Sequence, residues 1–189
     1  MAGAAIDTIP PNRAIIHNAT VLSGTSTRID FTGSDSMDTY DYVVQRCIDG
    51  NWNTAGNVLY NGPGKAITFI DKAVNTQKNH LCYTVITRDS CLNAALTDTF
   101  CVIQLKGKPK NLSDSINWYA FKGYNIKNYF VLRYKGQGNW DTLSIKTGKD
   151  TGNFHAPLPC NVPVTYKIVG IEKGGGKNYD VRFNNTRAF

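Results

Sequence analysis

The cysteines are the residues of this sequence that could bind a metal, act as a nucleophile or form disulfides. Their spacing lacks the Cys-x-x-Cys pairs of a zinc site. A reactive thiolate needs a base beside it, and the sequence around Cys91 offers none. Disulfides of an exported protein explain the residues more economically, and the odd number leaves at least one thiol unpaired. The five positions are Cys47, Cys82, Cys91, Cys101 and Cys160.

Two disulfide pairings fit the predicted strands. If segments 81–88 and 97–105 form a hairpin, Cys82 lies opposite Cys101. Cys47 ends a strand that should neighbour the start of segment 81–88, so a Cys47–Cys82 bond is the alternative. Connectivity does not follow from sequence alone, and both pairings stay open.

Histidines and carboxylates do not form a recognisable catalytic or metal-binding set. An acidic cluster between residues 35 and 41 offers oxygen ligands of the kind that Ca²⁺ prefers, but turns at a strand entry explain the same residues. The histidines fall on separate elements, at His17, His80 and His155. We therefore predict no catalytic residue, no metal and no cofactor, and we do not expect an enzyme.

One short stretch occurs twice in the chain. Tyr42-Val43-Val44-Gln45-Arg46 returns as Tyr129-Phe130-Val131-Leu132-Arg133, and a tryptophan follows each copy. The upstream aromatic, the tyrosine and the arginine recur at one common offset, as Phe31, Tyr42 and Arg46 and again as Trp118, Tyr129 and Arg133. A shared offset indicates two copies of one domain.

Short alternating segments separated by turn signals predict about seven strands per copy, which is typical of an antiparallel β-sandwich. We expect a lead-in over residues 1–14, one sandwich over 15–107, a second over 108–189, and a short joint at 106–110. The predicted core of the first copy is Ile29, Phe31, Tyr42, Val44, Trp52, Phe69, Tyr83 and Val85. That of the second is Ile116, Trp118, Tyr129, Val131, Trp140, Phe154, Tyr166 and Ile168.

The net charge of +7 lies almost wholly in the second copy. Residues 1–107 carry 8 Lys and Arg against 9 Asp, whereas residues 108–189 carry 13 against 4 Asp and 1 Glu. Such a surface suits solubility or a polyanionic partner. No apolar run reaches the length of a membrane span, and we expect no specific nucleic-acid partner.

The aromatic before the repeat and the Tyr-x-Val patterns at residues 42 and 83 resemble those of fibronectin type III domains. Segment 81–93 (LCYTVITRDSCLN) and segment 118–124 (WYAFKGY) are similar to stretches of large exported Bacteroidetes surface proteins, often associated with gliding motility or type IX secretion. The resemblance implies two immunoglobulin-like sandwiches in tandem. It also implies a non-catalytic structural or adhesion role in a larger cell-surface or secreted protein, with neighbouring domains as partners.

The same resemblance implies O-glycosylation at Asp-Ser/Thr-apolar motifs. The acceptor residues would be Thr8, Ser36, Ser115 and Thr142.

The alternative function is a carbohydrate- or polyanion-binding module built on the basic second domain and its loop aromatics. Surface glycans would then be the partners. The recognition surface predicted for this role comprises Tyr119, Phe121, Tyr124, Lys173 and Lys177.

Overall fold

The computed structural model describes residues 7–110, 113–150, 152–157, 164–173 and 187–188. Every secondary-structure element in these ranges is a β-strand. In chain order they are β1 Ile15–Ser23, β2 Ser26–Thr32, β3 Thr39–Ile48, β4 Asn51–Leu59, β5 Ala66–Asp71, β6 Leu81–Asp89, β7 Ala94–Leu96, β8 Phe100–Cys101, β9 Leu105–Lys110, β10 Ser113–Trp118, β11 Ile126–Gly136, β12 Asn139–Thr147, β13 Gly152–Pro157, β14 Thr165–Glu172 and β15 Arg187–Ala188. The described part of the chain holds no helix long and apolar enough to span a bilayer.

The first eight strands form two antiparallel sheets. One has the order β1-β2-β5, and the other has the order β4-β3-β6-β7, with β8 also paired to β6. Alternate residues of β2 are buried, as are Tyr42 and Val44 of β3 and Tyr83 and Val85 of β6, because these side chains point into the space between the sheets.

The remaining strands repeat this plan. Their sheets have the orders β13-β10-β9 and β12-β11-β14-β15, so each strand has a counterpart in the first set. A three-stranded sheet packed on a four-stranded one is an immunoglobulin-like β-sandwich. The prediction of two all-β sandwiches in tandem is confirmed.

The repeated tyrosine anchors each sandwich. The Tyr42 hydroxyl accepts a hydrogen bond from the Ser34 backbone N–H at 2.9 Å, and the Tyr129 hydroxyl accepts one from Phe121 at 2.9 Å. In both copies the donor lies eight residues before the tyrosine. Burial raises the pKa of both phenols above the ordinary value. The repeat is thus a buried packing motif that ties a loop to the sheet.

The repeated arginine has different partners in the two copies. Arg46 on β3 donates to both carboxylate oxygens of Asp71 at 2.8 and 2.7 Å, and Asp71 ends β5 in the opposite sheet. The Asp71 side chain is 2% exposed and also accepts a hydrogen bond from the Tyr83 hydroxyl. Arg133 instead faces Asp141 on the neighbouring strand at 3.5 Å, where the carboxylate is 37% exposed. Only the first pair links two sheets.

The predicted core is wrong at both tryptophans, because each lies on the outer face of its sheet. Trp52 is 43% exposed because it lies opposite Cys47, whose side chain points to the outer face of its sheet. Trp140 lies opposite Tyr134 on the corresponding outer face and is only partly buried. Phe69 is partly buried against the core, and the side chain of Phe154 lies outside the described residues.

The end of the first sandwich differs from its predicted form. The strand expected over 97–105 is not continuous: β7 ends before this range, residues 97–99 are not in a strand, and β8 covers only Phe100–Cys101. The joint expected at 106–110 lies within β9, which pairs with β10. β9 is the first strand of the second pair of sheets and begins at Leu105.

Candidate functional site

Three cysteines lie in one row across neighbouring strands. The β-ladder register places Cys82 opposite Cys47 on one side and opposite Cys101 on the other. Cys82 and Cys101 form a disulfide with a Cα–Cα distance of 3.9 Å, and the Cys47 thiol is free and buried. Both pairings open from the sequence are therefore compatible with the register, and the structure contains the first.

Cys91 is a free, exposed thiol in the loop after β6. Asp89 fixes this loop by accepting hydrogen bonds from the backbone N–H groups of Cys91 and Asn93, both at 2.8 Å. Leu92 between them has φ of 69°, a conformation that costs energy for a side chain with a Cβ. Cys160 lies outside the described residues.

The described side chains contain two groups with the donor types of a metal site. The first comprises His80 and the two disulfide-bonded cysteines, and the second comprises Asp7, Asp38 and Asp89. The disulfide sulfurs are not thiolate ligands, and Asp89 is already satisfied by its loop. His17 contacts the Thr32 hydroxyl at 2.6 Å and belongs to neither group. The side chain of His155 lies outside the described residues.

The predicted recognition aromatics lie at the junction between the sandwiches. Phe121 is 7% exposed and packs edge-on against Phe100 at 6.1 Å between ring centroids. The Tyr124 hydroxyl donates to the Ile16 carbonyl at 2.9 Å, and its ring packs against Phe100 at 5.1 Å. A recognition role does not fit these two residues because the first sandwich already covers them.

Tyr119 stays partly accessible at the edge of the junction. Its ring stacks on His80 at 4.5 Å, and the Lys106 ammonium donates to its hydroxyl at 3.0 Å. Burial lowers the pKa of His80 below its ordinary value, so the ring is held neutral against Tyr119. Lys173 is exposed, and Lys177 lies outside the described residues.

The predicted glycosylation residues differ in accessibility. Thr8 and Thr142 are exposed, and Ser36 is partly exposed. Ser115 is 9% exposed because it belongs to β10, the middle strand of its sheet. The folded protein therefore shields Ser115 from a glycosyltransferase.

The outer face of the second four-stranded sheet carries a groove that sequence reasoning missed. It has a volume of about 430 Å³ and is lined by Phe130, Leu132, Trp140, Lys167, Val169 and Ile171. The Lys167 ammonium lies 5.1 Å from the centre of the Trp140 ring. The sequence signal for this groove is the unbroken apolar run from Tyr129 to Leu132. A strand with only one buried face would instead alternate apolar and polar residues.

The comparisons with known proteins give no close relative. No protein-family model matches the sequence, and no curated protein is similar enough to be counted as a match. A two-domain fibronectin type III segment of chicken tenascin matches with 12% identity and a TM-score of 0.32, covering 87% of this chain and 93% of that one. The crystal structure of chicken CNTN1 FN1–FN3 domains matches with 13% identity and a TM-score of 0.34, covering 95% of this chain and 65% of that one.

Proposed function

We propose that the chain is a rigid, non-catalytic structural and adhesion module of a larger exported or cell-surface protein. In this role the two sandwiches hold neighbouring domains of the parent protein at a fixed distance and angle. The disulfide supports an exported location, because such bonds persist in oxidising compartments.

The observation that carries the proposal is the buried connection between the sandwiches. Val102, Ile103, Gln104 and Leu105 are each 1% exposed, so the connection is part of the core instead of a free linker. Gln104 donates to the Thr76 carbonyl at 3.2 Å from within this segment. A flexible tether would be exposed and free of such contacts.

Hydrogen bonds cross the junction at several points. The Cys101 N–H donates to the Lys122 carbonyl at 2.9 Å, and the Tyr119 N–H donates to the Gln104 carbonyl at 3.0 Å. Because Cys101 is held by the disulfide, the last strand of the first sandwich cannot peel away without breaking both connections. These contacts favour one fixed arrangement of the two sandwiches.

Gly123 allows the close approach at the junction. Its φ is +137°, and a Cβ built there would lie 2.6 Å from the Phe100 ring. Gly123→Val should therefore separate the two sandwiches without removing a core residue from either. We expect one cooperative thermal transition for the natural chain and two for the variant, measured by calorimetry.

Gly50→Val is the matched control for this experiment. Gly50 also has a positive φ, of 94°, but nothing lies within 4 Å of its built Cβ. This control should be destabilised by backbone strain and still melt in one transition. Two transitions in the natural chain would contradict the rigid module.

The second candidate function is binding of surface glycans or other polyanions. The excess of basic residues in the second sandwich supports it, with 13 Lys and Arg against 5 acidic residues over 108–189. Saturable, salt-dependent binding to heparin-like chains in a titration would support this candidate. Lack of saturable binding to acidic and neutral glycans would leave the structural role alone.

A further inference from the structure

We propose that the groove on the outer face of the second sandwich binds a small ligand with an apolar, aromatic body and one anionic group. This inference goes beyond the structural role and does not depend on it.

Most of the side chains that line the groove are apolar. The strand register aligns Ile145, Phe130 and Val169 in one row and Thr142, Leu132 and Lys167 in the next. These positions point away from the core, where a solvated sheet face would ordinarily carry polar residues. Phe130 and Leu132 remain partly exposed, and Ile145 is 56% exposed. Apolar residues in adjacent rows of an outer face indicate a binding surface.

The first sandwich shows that the fold does not require such a face. There the corresponding rows contain Asn57, Val43 and Ile86, followed by Thr54, Gln45 and Thr84. The Thr84 hydroxyl is hydrogen-bonded to Thr97 at 3.1 Å, which closes this surface with polar contacts. The apolar groove is therefore a feature of the second sandwich alone.

The positive charge of Lys167 in the groove favours an anionic ligand. Among the described residues that line it, Lys167 is the one that carries a charge, and its ammonium lies over the Trp140 ring. An anionic group can pair with this ammonium while an aromatic body packs on Trp140 and Phe130. A sugar fits less well, because most of its hydroxyl groups would face aliphatic side chains without hydrogen-bond partners.

Two fluorescent probes separate the apolar and anionic contributions. Anilinonaphthalenesulfonate carries an aromatic body and a sulfonate, and N-phenylnaphthylamine carries a similar body without charge. We expect Trp140→Leu to weaken binding of both probes, by about fivefold, because stacking is lost. We expect Lys167→Met to weaken only the sulfonate, by about tenfold, because a charge-assisted contact is lost.

Two control variants test the site itself. Trp52→Leu removes the corresponding tryptophan of the first sandwich, and Lys149→Met removes an exposed lysine in the turn after β12. Neither should change binding of either probe. Thermal unfolding of every variant shows whether it is still folded, so that weaker probe binding can be distinguished from unfolding.

Three results would overturn the proposal. The first is unchanged sulfonate binding in both groove variants, and the second is an equal loss in Trp52→Leu. The third is concentration-dependent dimerisation of the natural chain that Trp140→Leu abolishes, since the groove would then be covered by a second copy. Sedimentation velocity measures the third.

Discussion

The two sandwiches share a strand plan but use their outer faces in opposite ways. In the first, Trp52, Cys47, Cys82 and Cys101 form a row that ends in a disulfide. In the second, Trp140 pairs with Tyr134 at the corresponding place, and the rows beyond it form an open apolar groove. One face is closed by covalent and polar contacts, and the other remains available to a ligand.

This difference shows which positions the fold constrains. The inward-facing tyrosines Tyr42 and Tyr129 make the same hydrogen bond in both copies, because each sandwich needs a loop tied to its core. Outward positions carry no such requirement and have diverged. Function should therefore be sought on outer faces and at the junction.

The largest expected effect separates the two repeated arginines. Asp71→Ala leaves Arg46 buried without its partner, and we expect a loss of about 3–5 kcal/mol in the free energy of unfolding. Asp141→Ala removes the corresponding acid of the second sandwich from an exposed ion pair and should cause no resolvable loss. Urea denaturation of both variants measures the difference. Equal losses in the free energy of unfolding would show that the buried Arg46–Asp71 pair stabilises the fold no more than the exposed Arg133–Asp141 pair does.

The next effect concerns the cysteine row. Cys101→Ser removes a disulfide between residues separated by 19 positions, which should cost about 2–4 kcal/mol. Because Cys47 lies opposite Cys82, we expect these two thiols to pair in the variant under oxidising conditions. Peptide mapping after thiol alkylation detects the new bond. If Cys47 and Cys82 are recovered as free thiols, their opposite positions in the ladder are not sufficient for a disulfide to form between them.

The smallest effect concerns pH. Burial lowers the pKa of His80 in the folded protein below 6.5, so the unfolded chain binds the proton more readily. The stability that comes from neutral His80 is complete above pH 6.5 and is lost progressively as the pH falls below that value.

Replacement of His80 tests the origin of this loss. His80→Phe keeps a ring against Tyr119 and should flatten the stability profile below pH 6.5. His17→Phe, which replaces a histidine on β1 of the same sandwich, is the control. A profile that His80→Phe leaves unchanged would assign the pH dependence to other groups. Unfolding midpoints measured across this pH range provide the comparison.

The sequence was sufficient to predict the architecture. The shared spacing of Phe31 and Tyr42 with Trp118 and Tyr129 reflects buried positions in both sandwiches, so the repeat could reveal them. The core prediction is wrong for Trp52 and Trp140 because the side of a sheet on which a residue lies depends on hairpin register, which a tryptophan's hydrophobicity does not specify.

The candidate sites were harder to predict because they depend on distant residues. Tyr124 contacts Ile16 across 108 positions, and no local pattern distinguishes this buried aromatic from an exposed loop aromatic. The groove requires the register of three strands, which places Leu132 between Thr142 and Lys167. The continuous apolar run in β11 indicated an unusual strand but not which neighbours would complete a site.

We infer that the two sandwiches form one rigid unit, because residues 102–105 between them are buried. Residual dipolar couplings of backbone amides in a weakly aligned sample test it most directly. We predict that couplings from both sandwiches fit a single alignment tensor with the relative orientation of this structure. Separate tensors of different magnitude for the two sandwiches would contradict a rigid unit.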